Sequence, residues 1–173
     1  MNLGLLALRV IVGLLFFGHG TQKLFGWFGG HGLAATGGFF EQLGLPNGKR
    51  QAAMAGLAEA GGGLLLALGL LTPLATALLT ATMLVAVAKV HFSKGLWVTN
   101  GGYEYNLVLV AAAFAVAAIG AGKWSLDHVL KLHVAGAGWG LAALGAGLLA
   151  GLLALAAARL EASRHHPAHP TAA

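Results

Sequence analysis

The chain contains no cysteine. Disulfides, cysteine-ligated zinc, iron–sulfur clusters and thiol redox chemistry are therefore excluded within it, and any redox role must use a bound cofactor or a partner protein. Charge is almost as scarce. Asp, Glu, Lys and Arg make up 9% of the 173 residues, against about 25% in an ordinary soluble domain. So few charges cannot cover the surface of a soluble domain of this size. Acid is the rarer sign, with five Asp and Glu against ten Lys and Arg, for a net charge of +5. The basic residues stand singly between apolar runs, without a basic cluster or interleaved aromatics, so no nucleic-acid partner is expected. The features of a cleaved signal are also missing. No Lys or Arg precedes the first apolar run, Arg9 interrupts it, and no small-residue cleavage site follows cleanly.

What is plentiful is apolar. Hydrophobic residues make up 58% of the chain and the mean hydropathy is +0.80. Five apolar segments stand out, at 3–18, 52–71, 73–90, 105–121 and 134–160. Each is near the ~20 residues a helix needs to cross a bilayer, although the first is short. The sequence thus predicts an all-α protein: a transmembrane bundle of four core helices plus a fifth C-terminal transmembrane helix. The expected division is a four-helix bundle over 1–130, an added Gly/Ala-rich helix over 131–160, and a disordered His-rich tail over 161–173.

The connections carry further signals. Thr72 suits an N-cap and Pro73 a first helical position, which predicts a tight antiparallel hairpin. Aromatics beside glycines in 19–51, among them Trp27, Phe28, Phe39 and Phe40, predict a segment lying at the membrane interface. Ser125 suits the cap of a short helix with Asp127 in its first turn. Lys23, Lys49, Arg50, Lys89, Lys94, Arg159 and Arg164 fall on one side of the bundle, and Lys123 and Lys131 on the other. The positive-inside rule puts the first group in the cytoplasm, with the N-terminus outside and the C-terminus inside. The expected location is the inner membrane of a bacterium. Pairs such as Gly136 and Gly140, or Gly147 and Gly151, predict close helix packing, within the bundle or between protomers of a homo-oligomer.

Two charges lie inside spanning segments, Arg9 and Glu59. A charge at the bilayer centre costs about 2.5 kcal/mol or more, so each calls for a partner and a use. Helical spacing puts Arg9, Gly13, Phe16, Gly20 and Lys23 on one face, and Glu59 shares a face with Gly62 and Gly63. The glycines would admit a neighbour, and the expectation is an Arg9–Glu59 pair. Lys23, Lys89, His91, Glu104 and Asn106 belong to helix ends on the same side. The opposite half reads as nearly all Leu, Ala, Val and Gly. The polar chemistry is then one-sided, as in a pocket open to one face. The plain alternatives are snorkelling lysines, interfacial histidines and a purely structural ion pair. No metal or haem is expected.

These motifs resemble the DoxX family. Leu8-Arg9 with Gly13, Phe16, Gly20 and Lys23-Leu24 is similar to its N-terminal pattern, as is Gly38-Phe39-Phe40-Glu41. Ala58-Glu59-Ala60-Gly61-Gly62 followed by Leu68-Gly69-Leu70-Leu71-Thr72 resembles its second-helix pattern. Glu104-Tyr105-Asn106 and Gly120-Ala121-Gly122-Lys123-Trp124-Ser125-Leu126-Asp127 resemble its C-terminal pattern. The resemblance implies a four-helix membrane bundle whose relatives include subunits of quinol-oxidising and thiosulfate:quinone oxidoreductase complexes. The polar positions it carries over are Arg9, Lys23, Glu59, Glu104 and Asn106.

The leading expectation is a subunit of a quinone-linked membrane redox system. Arg9, Lys23, Glu59, Lys89, His91, Glu104 and Asn106 are its candidate ligand-binding residues, and Glu59 and Glu104 its candidate proton carriers. A quinone is the expected cofactor. A membrane or peripheral redox protein is the expected partner, beside the lipid bilayer itself. The alternatives are a non-catalytic membrane partner or assembly subunit and a small-solute transporter.

Overall fold

The structure is a computed structural model and describes residues 2–165. Seven α-helices follow in order: α1 (Asn2–Phe25), α2 (Gly32–Gln42), α3 (Gly48–Leu68), α4 (Thr72–Ala86), α5 (Glu104–Ile119), α6 (Leu126–Val129) and α7 (Ala137–His165). The described residues contain no strand. Four stretches are long and apolar enough to cross a membrane: α1, α3, α4 with its extension to Lys94, and α7. The fifth, α5, has 16 residues, about 24 Å at 1.5 Å per residue and less than the ~30 Å core. The all-α bundle with an added C-terminal helix is thus what the structure shows. The helix α1 is longer than expected, continuing past Gly18 to Phe25. The polar residues after Gly18 stay helical because their side chains find partners on neighbouring turns. Thr21 Oγ1, for one, donates back to the Phe17 carbonyl at 3.0 Å. At the other terminus α7 runs to His165, into the stretch expected as tail. The rest of that tail, 166–173, lies outside the described residues.

Glycine sets the central packing. A Cβ on Gly13 would lie 2.5 Å from the Gly63 carbonyl oxygen, and one on Gly20 would lie 2.6 Å from that of Gly56. The backbones of α1 and α3 therefore touch, in an antiparallel register that pairs 13 with 63 and 20 with 56. In hydrocarbon, apolar burial gives helices little reason to associate, and this close approach supplies dispersion contact instead. The helix α7 repeats the device. Gly147 fits against Ala77 and Thr80 of α4, and Gly140 against Ala118 of α5. The last helix thus packs on α4 and α5 within this chain.

The end opposite the lysines holds a polar clasp, contrary to the apolar half expected there. The helix α3 stops at Gly69, which has φ 64, and the Leu70 amide donates to the Leu65 carbonyl at 2.9 Å. That closure leaves the Ala67 carbonyl free, and Arg9 Nη1 donates to it. The other guanidinium nitrogen, Nη2, donates to the Trp124 carbonyl. Arg9 is 2% exposed. It continues the register of α1 on α3, as residue 9 meets residue 67. The predicted Arg9–Glu59 pair is not formed. Glu59 lies eight residues before Ala67, about 12 Å along the helix.

The start of α4 is capped from a distance. Thr72 is the first helical residue and not the cap; Leu71, in the left-handed region with φ 48, holds that place and gives no side-chain bond. The cap comes from Asp127. Its Oδ1 accepts from the Leu71 amide at 2.7 Å, and its Oδ2 accepts from the Thr72 amide at 3.2 Å and from the Thr72 hydroxyl. The Asp127 amide in turn donates to the Gly69 carbonyl at 2.8 Å. Ser125 caps α6 as expected, accepting from the His128 amide at 3.2 Å. A negative carboxylate at a helix start and a cation at a helix end both complement the helix dipole.

Two outcomes follow. Gly20→Ala should destabilise the detergent-purified protein by about 1–3 kcal/mol through overpacking. Gly18→Ala has open space around its Cβ, so it should be neutral or stabilising by up to about 1 kcal/mol from helix propensity. Equal melting shifts for the two variants would contradict the close α1–α3 contact. Asp127→Ala strands the buried Thr72 amide and the half-buried Leu71 amide and should lower stability by about 2 kcal/mol or more, read as a drop in melting temperature with the helical circular dichroism retained at low temperature.

Candidate functional site

The lysine-rich end contains a cavity of about 580 Å³. Its walls are mostly apolar, built by Met83 and Ala86 of α4, Leu109 of α5 and Phe39 and Phe40 of α2. Five of the sequence candidates line it: Lys23, Glu59, Lys89, His91 and Asn106. Two do not. Arg9 sits at the far end in the clasp, bonded to backbone carbonyls. Glu104 faces the 92–103 loop, where its Oε2 accepts from the Val98 amide at 2.9 Å and holds that loop over the cavity.

Glu59 is paired with Lys23, whose Nζ contacts its Oε2. The reach follows from helix geometry. Side chains tilt toward the N-terminus of their helix, and α1 and α3 are antiparallel. Lys23 therefore leans back along α1, as its 3.4 Å contact with the His19 carbonyl shows. Glu59 leans toward the lysine-rich end to meet it. The two side chains are unequally buried, Lys23 24% exposed and Glu59 5%.

The other polar groups come from less regular backbone. After Ala86 the helix widens into a π turn, Val87–His91, a local distortion that recurs at functional sites. It turns Lys89 and His91 to the cavity. Lys89 Nζ donates to the Leu43 carbonyl at 3.2 Å, tying α4 to the end of α2. His91 Nδ1 lies 2.7 Å from the Gly101 carbonyl. A carbonyl can only accept, so Nδ1 carries the proton and Nε2 of the neutral ring is left as an acceptor. His19 Nδ1 lies 3.2 Å from the Gln22 side-chain oxygen. Asn106, 6% exposed, donates from Nδ2 to Met83 Sδ at 3.2 Å. Sulfur is a weak acceptor, so this amide keeps capacity for a better partner. Sequence reading placed Phe39 and Phe40 in an interfacial segment and not in a pocket, and it gave Met83 no role. Their signal, apolar residues facing polar ones across helices, is invisible until the register is known.

These features define a small multi-pass membrane protein with a polar-floored cavity at one end. The chain belongs to the DoxX family, which it matches over residues 4–92. That match contains α1 to α4 and His91. The motifs at 104–106 and 120–127 lie beyond it. The chain is also 32% identical over 115 residues to the Bacillus subtilis (strain 168) protein named "Putative oxidoreductase CatD", over 66% of this chain and 79% of that protein. No solved structure matches the chain.

The unequal burial of the ion pair gives an asymmetric expectation. Lys23→Met leaves Glu59 buried without a counter-charge and should cost about 3 kcal/mol. Glu59→Leu leaves a lysine that can snorkel to the interface and should cost less. The double variant should recover to within about 1 kcal/mol of the wild type. Additive losses in a melting series would show that the two side chains do not interact.

Proposed function

We propose that this protein is the membrane subunit of a quinone-linked redox system and holds a quinone head group in the cavity at its lysine-rich end. The observation that supports the reading best is the composition of that cavity. An aromatic head group needs apolar walls of its own width, and Met83, Leu109, Phe39 and Phe40 supply them. Its two oxygens need a few fixed polar partners, since stray polar groups in hydrocarbon are costly. Lys89 and the Asn106 amide are donors suited to a quinone carbonyl. His91 Nε2 is an acceptor suited to the hydroxyl of a quinol, and a base that can take its proton. The Lys23–Glu59 pair lies beside these groups and gives that proton a charged relay toward the lysine-rich surface. The word oxidoreductase in the name of the Bacillus subtilis relative accords with this use.

The chain has no cysteine to bind a redox centre, so electrons pass between the quinone and a redox protein partner, membrane-bound or peripheral. The bacterial inner membrane is the compartment this requires, with the lysine-rich end toward the cytoplasm. Glu104 serves by position, fixing the 92–103 loop over the cavity.

The test is a titration of the tail-less naphthoquinone menadione against the detergent-purified protein, followed by tryptophan quenching or calorimetry. Binding should saturate, and Lys89→Met and Asn106→Leu, each removing a donor to a quinone carbonyl, should each weaken it by about tenfold, one hydrogen bond's worth. Absence of saturable binding by the wild-type protein would sink the reading. If the same protein then co-isolated with a stoichiometric protein partner, a non-catalytic assembly role would take its place.

A further inference from the structure

Resting on the quinone reading, we infer that the cavity continues into a groove for the prenyl tail, opening to the bilayer between α3 and α7, and that α7 is the wall that selects long-tailed ligands. The cavity lining does not stop at the polar groups. It runs on along Ala55 and Ala58 of α3, Ala81 and Val85 of α4, and Ala150 and Ala154 of α7. Both α3 and α7 pack on α4, yet they hardly touch each other. The face of α4 between them therefore forms the floor of an open cleft. The paired positions are three or four residues apart, so each pair shares a face of its helix.

The cleft is lined almost entirely by small residues. Elsewhere on α7 the outward positions mix leucines, as at Leu149, Leu152 and Leu153, which are 59%, 57% and 60% exposed, with small residues such as Ala142, Ala146 and Ala157. Hydrocarbon solvates such side chains without penalty. Inside the cleft every position just named but Val85 is alanine, and Gly151 adjoins them. Alanine there leaves room about one chain wide, where leucine would have closed it.

Toward the lysine-rich surface the lining is apolar, with Phe39, Phe40 and Leu43 at the end of α2. Asn47 Nδ2 donates to Glu161 Oε1, which binds the end of α7 to the turn before α3. An amphiphile dissolved in the bilayer finds the flank open, with Met54 at the rim, 54% exposed. A head group at His91 and a tail leaving past Ala154 would use both parts of one continuous cavity. The first units of the tail lie in the groove and the remainder enters the lipid.

The experiment compares menadione with its tetraprenyl counterpart, each titrated against the full chain in lipid nanodiscs. Ala154→Phe fills the groove, Ala150→Leu fills it with less bulk should the first variant fold poorly, and Leu153→Phe on the outer face of α7 is the control. Tetraprenyl binding should weaken by about tenfold or more in the groove variants, the worth of roughly two buried methylenes. Menadione binding should stay within about twofold, a difference under 0.5 kcal/mol. Equal effects on the two ligands, or none on either, would overturn the groove while leaving the head-group site standing. If menadione fails to bind but a tetraprenyl lipid binds and is lost in Ala154→Phe, the groove stands and the quinone reading falls. If neither ligand binds, both fall.

Discussion

A helical hairpin in hydrocarbon carries two sets of backbone groups that lipid cannot satisfy: the last carbonyls of one helix and the first amides of the next. The turn from α3 to α4 meets both with one side chain each. Arg9 takes the Ala67 carbonyl, and Asp127 takes the Leu71 and Thr72 amides. The rest of the bundle depends on this arrangement. It fixes α1 on α3 at the register that brings the glycines together. It draws the 120–136 segment back onto the bundle, so that the short α5 can end below the membrane surface with its irregular continuation held by protein.

The same register decides the polar chemistry at the other end. With residue 9 opposite residue 67 and residue 20 opposite residue 56, Glu59 cannot meet Arg9 and must find its counter-charge elsewhere. Lys23 is the cation that leans toward it. Each intramembrane charge is thus matched at its own depth. The clasp locks the hairpin, and the Lys23–Glu59 pair is left beside the cavity.

How far this was legible in the sequence differs between levels. Hydropathy gave the helices, because a span is a run of apolar residues that any window detects, and Ser125 announced its own cap. The partners of Arg9 and Glu59 were not legible, because pairing across two helices depends on register, and an end placed at Gly18 instead of Phe25 misjudges every depth along α1. The glycines at 13, 20, 56 and 63 did hold that register, in matching seven-residue steps. Asp127 was legible as a helix-start acid but not as the cap of α4, since a cap supplied from 55 residues away leaves no local pattern. Of the polar residues read as one group, Lys23, Glu59, Lys89, His91 and Asn106 do border one cavity, since helix alternation settles which ends share a side, while Arg9 and Glu104 do not.

The two polar ends differ in how accessible their unused bonding capacity is. In the clasp, the Asp127 carboxylate already accepts three bonds, and both terminal nitrogens of Arg9 donate to carbonyls. What is left there, Arg9 Nε and a second N–H on each terminal nitrogen, belongs to a side chain 2% exposed and out of reach of a ligand. At the cavity the balance reverses. Glu59 uses Oε2 for Lys23, His91 uses Nδ1 for Gly101, Lys89 uses one donor of three for Leu43, and Asn106 is matched only with a thioether. Each of these groups keeps bonding capacity that the described residues do not consume, and each borders the same space. Polar capacity held open in an apolar setting is costly unless something fills it, and only at the cavity does that capacity border a space a ligand could enter, which favours this end for the proposed head group.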